Sequence, residues 1–260
     1  MRLIDAMTHL RDARVVEQAP ALLARAARAG VEALVEAGID PARDAELRLP
    51  AAAGVALTVR YAVGLHPMHI DVAHHAAQIA ALRAALRRGD DDVVAVGEIG
   101  LDRRAGAPPL ALQRALLHEQ LALCAEHELP PIIHCVQAIG PLLEVLRAAP
   151  PLRRGGVVHG LCASRASLDA LVAHNLSFSV GGMATLARAK RCQLVAREAP
   201  AERLLLESDC PDHPPRGFDQ PLSEPAALRV TAAAVAALRD TSAEAIATLT
   251  ADNARRLFGL

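Results

Sequence analysis

Short apolar runs alternate with longer segments of helical periodicity along the whole chain, and this alternation is the strongest constraint on its fold. The apolar runs predict strands at 2–7, 33–37, 57–65, 93–98, 131–134, 156–159, 176–181 and 203–208. The segments between them predict helices at 17–29, 41–52, 71–88, 110–128, 138–148, 164–173, 184–198 and 225–238, with a last one at 242–257. Eight strand–helix units are what a closed TIM-type (β/α)8 barrel requires. The sequence therefore predicts an α/β barrel with an extra C-terminal helix.

The length and composition agree with one such barrel. The chain has 260 residues, of which 52% are hydrophobic, enough for a large core without disulfides. Nothing in the sequence reads as a linker, so we expect a single domain over 1–260. Asp71, Ser164 and Ser242 are the predicted N-caps of the third, sixth and last helices.

Charge and composition limit the possible partners. Aromatic residues make up 2% of the chain and the net charge is −1, which argues against an aromatic stacking platform or an extended basic surface. A polyanionic substrate would have to be held locally. No apolar run approaches the length of a membrane span, and we expect a cytoplasmic protein without a membrane or an obligate protein partner.

The cysteines predict no structural role. Their number is odd and no two form a Cys-x-x-Cys pair, which disfavours a disulfide framework or a structural zinc site. We therefore expect buried, reduced thiols at Cys124, Cys135, Cys162, Cys192 and Cys210.

Potential metal ligands follow strand after strand. They are His9, Glu98, His134, His159 and Asp209. One such residue after an apolar run is usually structural, but the carboxyl ends of barrel strands meet at one face, so five of them predict a shared site. Imidazole and carboxylate ligands suit Zn²⁺, Mn²⁺ or a similar ion, and such ions activate water for hydrolysis.

Several motifs match one known family in order. The segments Gly97-Glu98-Ile99-Gly100-Leu101-Asp102, Gly64-Leu65-His66-Pro67 and Pro131-Ile132-Ile133-His134 resemble TatD family blocks. So do Leu206-Glu207-Ser208-Asp209-Cys210-Pro211 and Asn253-Ala254-Arg255-Arg256-Leu257-Phe258-Gly259. The resemblance extends over essentially the whole chain.

The resemblance implies an amidohydrolase-type barrel with metal-dependent phosphodiesterase activity, usually reported as DNase. It implies one or two divalent ions (Zn, Mn or Mg) per chain, with Glu98 bridging two of them. His134 and His159 would complete one metal site, and His9 and Asp209 would belong to the other. We expect catalytic roles for Glu98 and Asp209, an aspartate beside the attacking water being able to take its proton. The expected substrate is nucleic acid or a nucleotide, with DNA first.

The first motif departs from the family pattern. The family has Asp-x-His-x-His, whereas this chain has Asp5-Ala6-Met7-Thr8-His9. Alternate strand residues share a face, so we expect Met7 to point the same way as Asp5 and His9 and to bring a thioether to a ligand position. A thioether is a weak ligand for hard divalent ions, so we expect a weakened second metal site.

The substrate contacts also differ. Val136 stands where the family usually has an arginine, and Gly160-Leu161 where an aromatic residue commonly follows the histidine. Arg103, Arg104 and His66 are candidate substrate contacts, against alternatives as solvated loop arginines and a packed turn histidine.

Two other functions stay open at this point. The near-neutral charge and Val136 favour a mononuclear hydrolase of small esters, amides or lactones. A catalytically degraded member that only binds its ligand is the third hypothesis.

Overall fold

The computed structural model of the chain describes residues 1–50 and 54–260. The described residues form eight parallel strands in the order of the chain, arranged as a nearly closed barrel. The strands are β1 (Leu3–Thr8), β2 (Val31–Ala37), β3 (Thr58–Val63), β4 (Val93–Asp102), β5 (Pro131–Val136), β6 (Gly156–Val158), β7 (Leu176–Val180) and β8 (Leu204–Leu206). The predicted TIM-type barrel is confirmed.

Helices follow the strands. They are α1 (Ala19–Arg28), α2 (Pro41–Asp44), α3 (His75–Arg88), α4 (Leu110–Glu126), α5 (Ile139–Ala148), α6 (Arg165–Val172), α7 (Lys190–Glu198), α8 (Leu228–Leu238) and α9 (Ala243–Phe258). Short 3₁₀ turns lie at Val16–Gln18, Pro67–His69, Gly182–Thr185, Ala201–Arg203 and Pro225–Ala227. Among the helices of the described part of the chain, none has the length and apolar character needed to cross a membrane.

The segment after β8 closes the barrel against β1. The amide of Asp209 donates to the carbonyl of Met7 at 3.2 Å, and the amide of His9 donates to the carbonyl of Cys210 at 2.8 Å. These bonds fix the loop that carries His9 beside the one that carries Asp209.

The additional helix α9 covers one end of the barrel. Its Ala251, Ala254 and Phe258 pack in one buried cluster with residues of the strands, including Ile132 and Leu205. Asn253 donates from Nδ2 to the carbonyl of Leu204 at 2.8 Å. The predicted C-terminal helix therefore completes the core at the end opposite the predicted site.

Several predicted boundaries were wrong. The second helix ends at Asp44 rather than at residue 52, and 51–53 lie outside the described residues. The helix predicted at 184–198 is a 3₁₀ turn followed by α7, which begins only at Lys190.

Two of the three predicted N-caps are confirmed. The hydroxyls of Ser164 and Ser242 accept backbone amides at the starts of α6 and α9. Asp71 is not the cap of α3, which begins at His75. Its carboxylate instead accepts the amides of Ala73 and His74 in the preceding turn, at 2.9 and 3.1 Å. A short polar side chain such as that of aspartate can accept backbone amides in a turn as well as at a helix start.

The prediction of reduced thiols throughout was also wrong. Cys162 and Cys192 form a disulfide that joins the connection after β6 to α7. No sequence motif predicts this pair, because the two residues are 30 positions apart and come together only through the fold. Cys124, Cys135 and Cys210 are free thiols.

Candidate metal centre

A cleft of about 560 Å³ opens at the carboxyl ends of the strands. Its lining includes every residue singled out from a strand end: His9, Glu98, His134, His159 and Asp209. Ligand types that are far apart in sequence thus meet in one cavity.

Glu98 lies at the centre of this group. Its Oε1 is 2.7 Å from Nδ1 of His134 and 2.6 Å from Nε2 of His159. Its Oε2 is 3.0 Å from Nε2 of His9. Burial by itself raises the pKa of Glu98, but the surrounding imidazoles outweigh burial and hold the pKa well below its usual range. The carboxylate is therefore a fixed negative charge shared by the histidines.

Two glycines bring Glu98 close to the neighbouring strand. A Cβ on Gly97 would lie 2.6 Å from Cβ of Ile132. Gly100 has φ +148°, and a Cβ there would collide with the carbonyl oxygen of His134. The register between β4 and β5 shifts between Val96 and Ile99, where β4 has one residue more than β5. Glycine is therefore needed on both sides of Glu98 for β4 to approach β5 so closely.

His134 is held from behind by a carboxylate. Its Nε2 lies 2.9 Å from Oδ2 of Asp102, a residue at the end of β4 with no exposed surface. Asp102 also accepts Nε of Arg104 at 2.8 Å. Burial raises the pKa of Asp102, but His134 and Arg104 outweigh it and keep the pKa below its usual range. A carboxylate can only accept, so His134 donates from Nε2 to Asp102, and its Nδ1 faces the cleft beside Oε1 of Glu98.

His159 is supported by buried Glu207. Oε1 of Glu207 accepts the amide of Gly160 at 2.8 Å, and Oε2 accepts the hydroxyl of Ser179. Nδ1 of His159 lies 3.9 Å from Oε2 of Glu207 and has no hydrogen-bond partner among the described residues. Glu207 thus ties the connection that carries His159 to β7 and β8.

His9 and Asp209 form the other side of the group. Nδ1 of His9 lies 3.2 Å from the carbonyl of Ala37, which can only accept, so Nδ1 donates there and Nε2 faces Glu98. Burial raises the pKa of Asp209. No carboxylate within hydrogen-bonding distance stands behind His9 among the residues described, in contrast to His134.

The loops that carry His9 and Asp209 are joined at the surface. The guanidinium of Arg14 donates to Asp12 at 2.9 Å and to Asp212 at 2.8 Å. Next to them, His213 lines the cleft, and a Cβ on Gly182 would collide with the carbonyl of His213. The long segment after β8 therefore packs onto the loop after β7 and forms one wall of the cleft.

Met7 lies among apolar residues. It is fully buried in the cluster that includes Ile4, Ala6 and Ala33, and it is not one of the described residues that line the cleft. The pairing of β1 with β2 shifts between Asp5 and Thr8, so strict alternation does not hold across Met7. The prediction that Asp5, Met7 and His9 point the same way assumed strict alternation, which this part of β1 does not have.

His66 enters the cleft from the turn after β3. Its Nε2 is 3.4 Å from Oε1 of Glu98, and its Nδ1 accepts the amide of Met68 at 3.1 Å. Burial lowers the pKa of His66 to about 4.

The two candidate arginines diverge. Arg104 lines the cleft. Arg103 is not among the described residues that line it, and donates to the carbonyl of Gln137 at 3.5 Å. Val136 and Leu161 also line the cleft.

The donor set suits a divalent cation. Ligand atoms of His66, Glu98 and His134 all lie within 4.8 Å of one another. His9 and His134 each donate from the outer ring nitrogen and turn the inner nitrogen toward the centre, the orientation that metal-binding histidines adopt. Imidazoles and carboxylates without a thiolate fit Zn²⁺, Mn²⁺ or Mg²⁺ better than a purely structural zinc.

Some residues that support the site were not predicted from the sequence. Besides Asp102 and Glu207, buried Glu36 accepts the amides of Leu10 and Arg11 at 2.8 and 3.0 Å and so fixes the loop after His9. A signal was present: each is a carboxylate at the end of an apolar run, where an unpaired charge would be costly.

A family model described as TatD related DNase matches residues 4–259. The chain belongs to the TatD family. Over 261 residues it is 34% identical to the uncharacterized metal-dependent hydrolase YjjV of Escherichia coli K12, covering 100% of this chain and 98% of the relative. It is 32% identical over 266 residues to the 3'-5' ssDNA/RNA exonuclease TatD of Erwinia amylovora, covering 99% and 100%.

Solved structures agree with this assignment. The crystal structure of YjjV, a TatD homologue from Escherichia coli K12, matches with a TM-score of 0.88 at 33% identity, over 100% of this chain and 98% of that one. A TatD family hydrolase from Entamoeba histolytica matches with a TM-score of 0.87 at 19% identity, which bears on the fold alone. This protein is a TatD family metal-dependent hydrolase.

Proposed function

We propose that this TatD family hydrolase cleaves phosphodiester bonds in nucleic acid or nucleotides, with DNA as the first substrate to test. The observation that carries the proposal is the convergence of His9, His134 and His159 on the buried carboxylate of Glu98. The name of the Erwinia amylovora relative, a 3'-5' ssDNA/RNA exonuclease, supports the choice of substrate.

The proposed ligands divide into two groups. Glu98, His134 and His159 would hold one ion, and His9 and Asp209 would contribute to a second with Glu98 between them. Because Met7 has a thioether buried among apolar side chains, we propose that the second ion is held more weakly. A divalent ion in this centre supplies Lewis acidity and lowers the pKa of water.

The other chemical roles fall to groups of the chain. Asp209 would accept the proton of the attacking water on a carboxylate oxygen, a role favoured by burial, which raises its pKa. Glu98 keeps the imidazoles oriented and stays ionised. Arg104, held by Asp102 at the edge of the cleft, is the nearer of the two proposed arginines to a substrate phosphate. His66 reaches the same space.

Metal content and cleavage test the proposal together. We expect purified protein to retain at least one Zn, Mn or Mg ion per chain by elemental analysis. It should degrade end-labelled single-stranded DNA, lose that activity with EDTA and regain it with added metal. Glu98→Gln should abolish both metal retention and cleavage, whereas Glu144→Gln, on the exposed face of α5, should change neither. Cleavage that survives EDTA would contradict the proposal.

A second candidate function rests on the apolar part of the cleft. Val136, Leu161 and Met183 line it and give no charge to a phosphate. This surface favours small esters, amides or lactones. Hydrolysis of acyl substrates without any cleavage of DNA or of bis-p-nitrophenyl phosphate would select this function. Metal binding without turnover of either class would select a degraded member that only binds.

A further inference from the structure

The histidines around Glu98 differ in whether the ring nitrogen that faces away from Glu98 donates or accepts a hydrogen bond. His9 and His134 each have an outer nitrogen beside an oxygen that can only accept, from Ala37 and Asp102 respectively. The outer nitrogen therefore holds a proton, and the inner nitrogen, beside Glu98, could give its lone pair only to a bound cation.

His66 has the opposite arrangement. The backbone amide of Met68 donates to its Nδ1 at 3.1 Å. A nitrogen that accepts an amide proton cannot carry one itself, so the ring proton is on Nε2. That nitrogen faces Oε1 of Glu98 at 3.4 Å, and the N–H bond points into the cleft.

The local fold makes this tautomer a built-in property. The amide of His66 donates to the carbonyl of Ile39 at 2.9 Å, which fixes the backbone. Pro67 begins the 3₁₀ turn that places the amide of Met68 over Nδ1. The ring packs edge-on against His134, with centroids 4.5 Å apart. His66 is 9% exposed and has little freedom to turn its ring.

We propose that His66 is a catalytic hydrogen-bond donor and not a metal ligand: its Nε2–H binds a negatively charged oxygen of the reacting group. This deepens the proposed hydrolysis and rests on it for the identity of the reacting group. The N–H bond stays intact throughout, so no proton is transferred. The closeness of His66, Glu98 and His134 then reflects a donor placed next to the metal centre, not a third ligand in it.

The tautomer can be measured without turnover. In protein with ¹⁵N-labelled histidine, NMR should show a pyridine-type Nδ1 and a pyrrole-type Nε2 for His66, both in metal-free protein and after loading with Zn²⁺. A Zn²⁺-dependent change of Nε2 to a metal-bound shift would overturn the proposal.

Two substitutions separate a donor from a ligand. His66→Gln keeps an N–H near the position of Nε2, and His66→Ala removes it. We expect both variants to bind Zn²⁺ with wild-type stoichiometry and affinity. The Kd for inorganic phosphate of the Zn²⁺-loaded protein should rise about 10-fold or more in His66→Ala and stay within about 3-fold of wild type in His66→Gln.

Turnover gives the second readout. With bis-p-nitrophenyl phosphate, kcat should fall about 100-fold in His66→Ala, with most of the loss recovered in His66→Gln. Weakened Zn²⁺ binding in either variant, or an unchanged phosphate Kd in His66→Ala, overturns the assignment. If the wild-type protein hydrolyses no phosphodiester but its phosphate affinity depends on His66, the proposed function fails and the donor assignment stands.

Discussion

The two sides of the histidine cluster are supported differently. On the side of His134 and His159, buried Asp102 accepts from Nε2 of His134 at 2.9 Å, and buried Glu207 lies 3.9 Å from Nδ1 of His159. On the side of His9 and Asp209, a backbone carbonyl supports His9, and Met7 is buried among apolar residues. Since outer carboxylates fix ring orientation and raise ligand basicity, the first side is preorganised for a cation and the second is less so.

The largest expected difference comes from removing one histidine on each side. We expect His134→Ala to lose well over about 100-fold in metal affinity and in phosphodiester cleavage, and His9→Ala to lose about 10-fold or less. Elemental analysis after dialysis and initial rates with added Mn²⁺ measure this. His75→Ala, on the exposed start of α3, is the control. Equal losses in both variants would show that the two sides bind metal equally well.

Removing the support of His134 tests the reason for the difference. Asp102→Asn should weaken metal affinity about 10- to 100-fold, because His134 loses the charge that holds its proton on Nε2. Arg104→Gln is the matched control, since Arg104 also binds Asp102 but not His134. It should leave metal affinity within about 3-fold. If both variants weaken metal binding alike, the arginine, not the carboxylate–histidine contact, sets the affinity.

Met7→His asks whether the weaker side can be repaired. We expect a second ion to be retained and cleavage to rise several-fold, with a loss of about 1–3 kcal/mol in the free energy of unfolding because an imidazole enters an apolar cluster. Met7→Leu, similar in volume, should cost less than about 1.5 kcal/mol and leave metal content unchanged. A folded Met7→His protein with wild-type metal content would mean that residue 7 does not reach the metal site.

The smallest expected effect on chemistry concerns the disulfide. Cys162–Cys192 ties the connection after His159 to α7. We expect Cys192→Ser to lower the free energy of unfolding by about 2–4 kcal/mol in urea. Cleavage should change less than in Asp102→Asn. Dithiothreitol should destabilise the wild type to the same extent and have no effect on Cys192→Ser. An identical stability of wild type and variant would show that the bridge does not form in solution.

The fold was largely predictable because each strand is a separate apolar run bounded by polar residues. The site residues were predictable in position because His9, Glu98, His134, His159 and Asp209 all follow such runs. Their order around the barrel follows from the order of the strands.

What escaped prediction depends on contacts between distant segments. The support of His134 by Asp102 requires β4 to continue to Asp102, whereas the strand predicted from the sequence ends at Glu98. The pairing of Cys162 with Cys192 depends on the path of the loop after β7. The second helix, α2, is short although its segment has helical periodicity. Arg103 and Arg104 are adjacent in sequence, so only the bend of the chain decides which one faces the cleft. The tautomer of His66 depends on one backbone amide.

The ion pairs of Arg14 have a practical consequence for assays. They join Asp12 and Asp212, which lie in the loops that carry His9 and Asp209, and their charges are in contact with solvent. Dissolved salt weakens such exposed ion pairs, because the Debye length falls from about 8–10 Å at physiological ionic strength to about 3 Å at 1 M. We therefore expect the number of ions counted per chain to fall with the sodium chloride concentration of the dialysis buffer, the loss coming from the His9 side. On this expectation, protein purified in high salt would retain one ion per chain, and protein kept in dilute buffer would retain two.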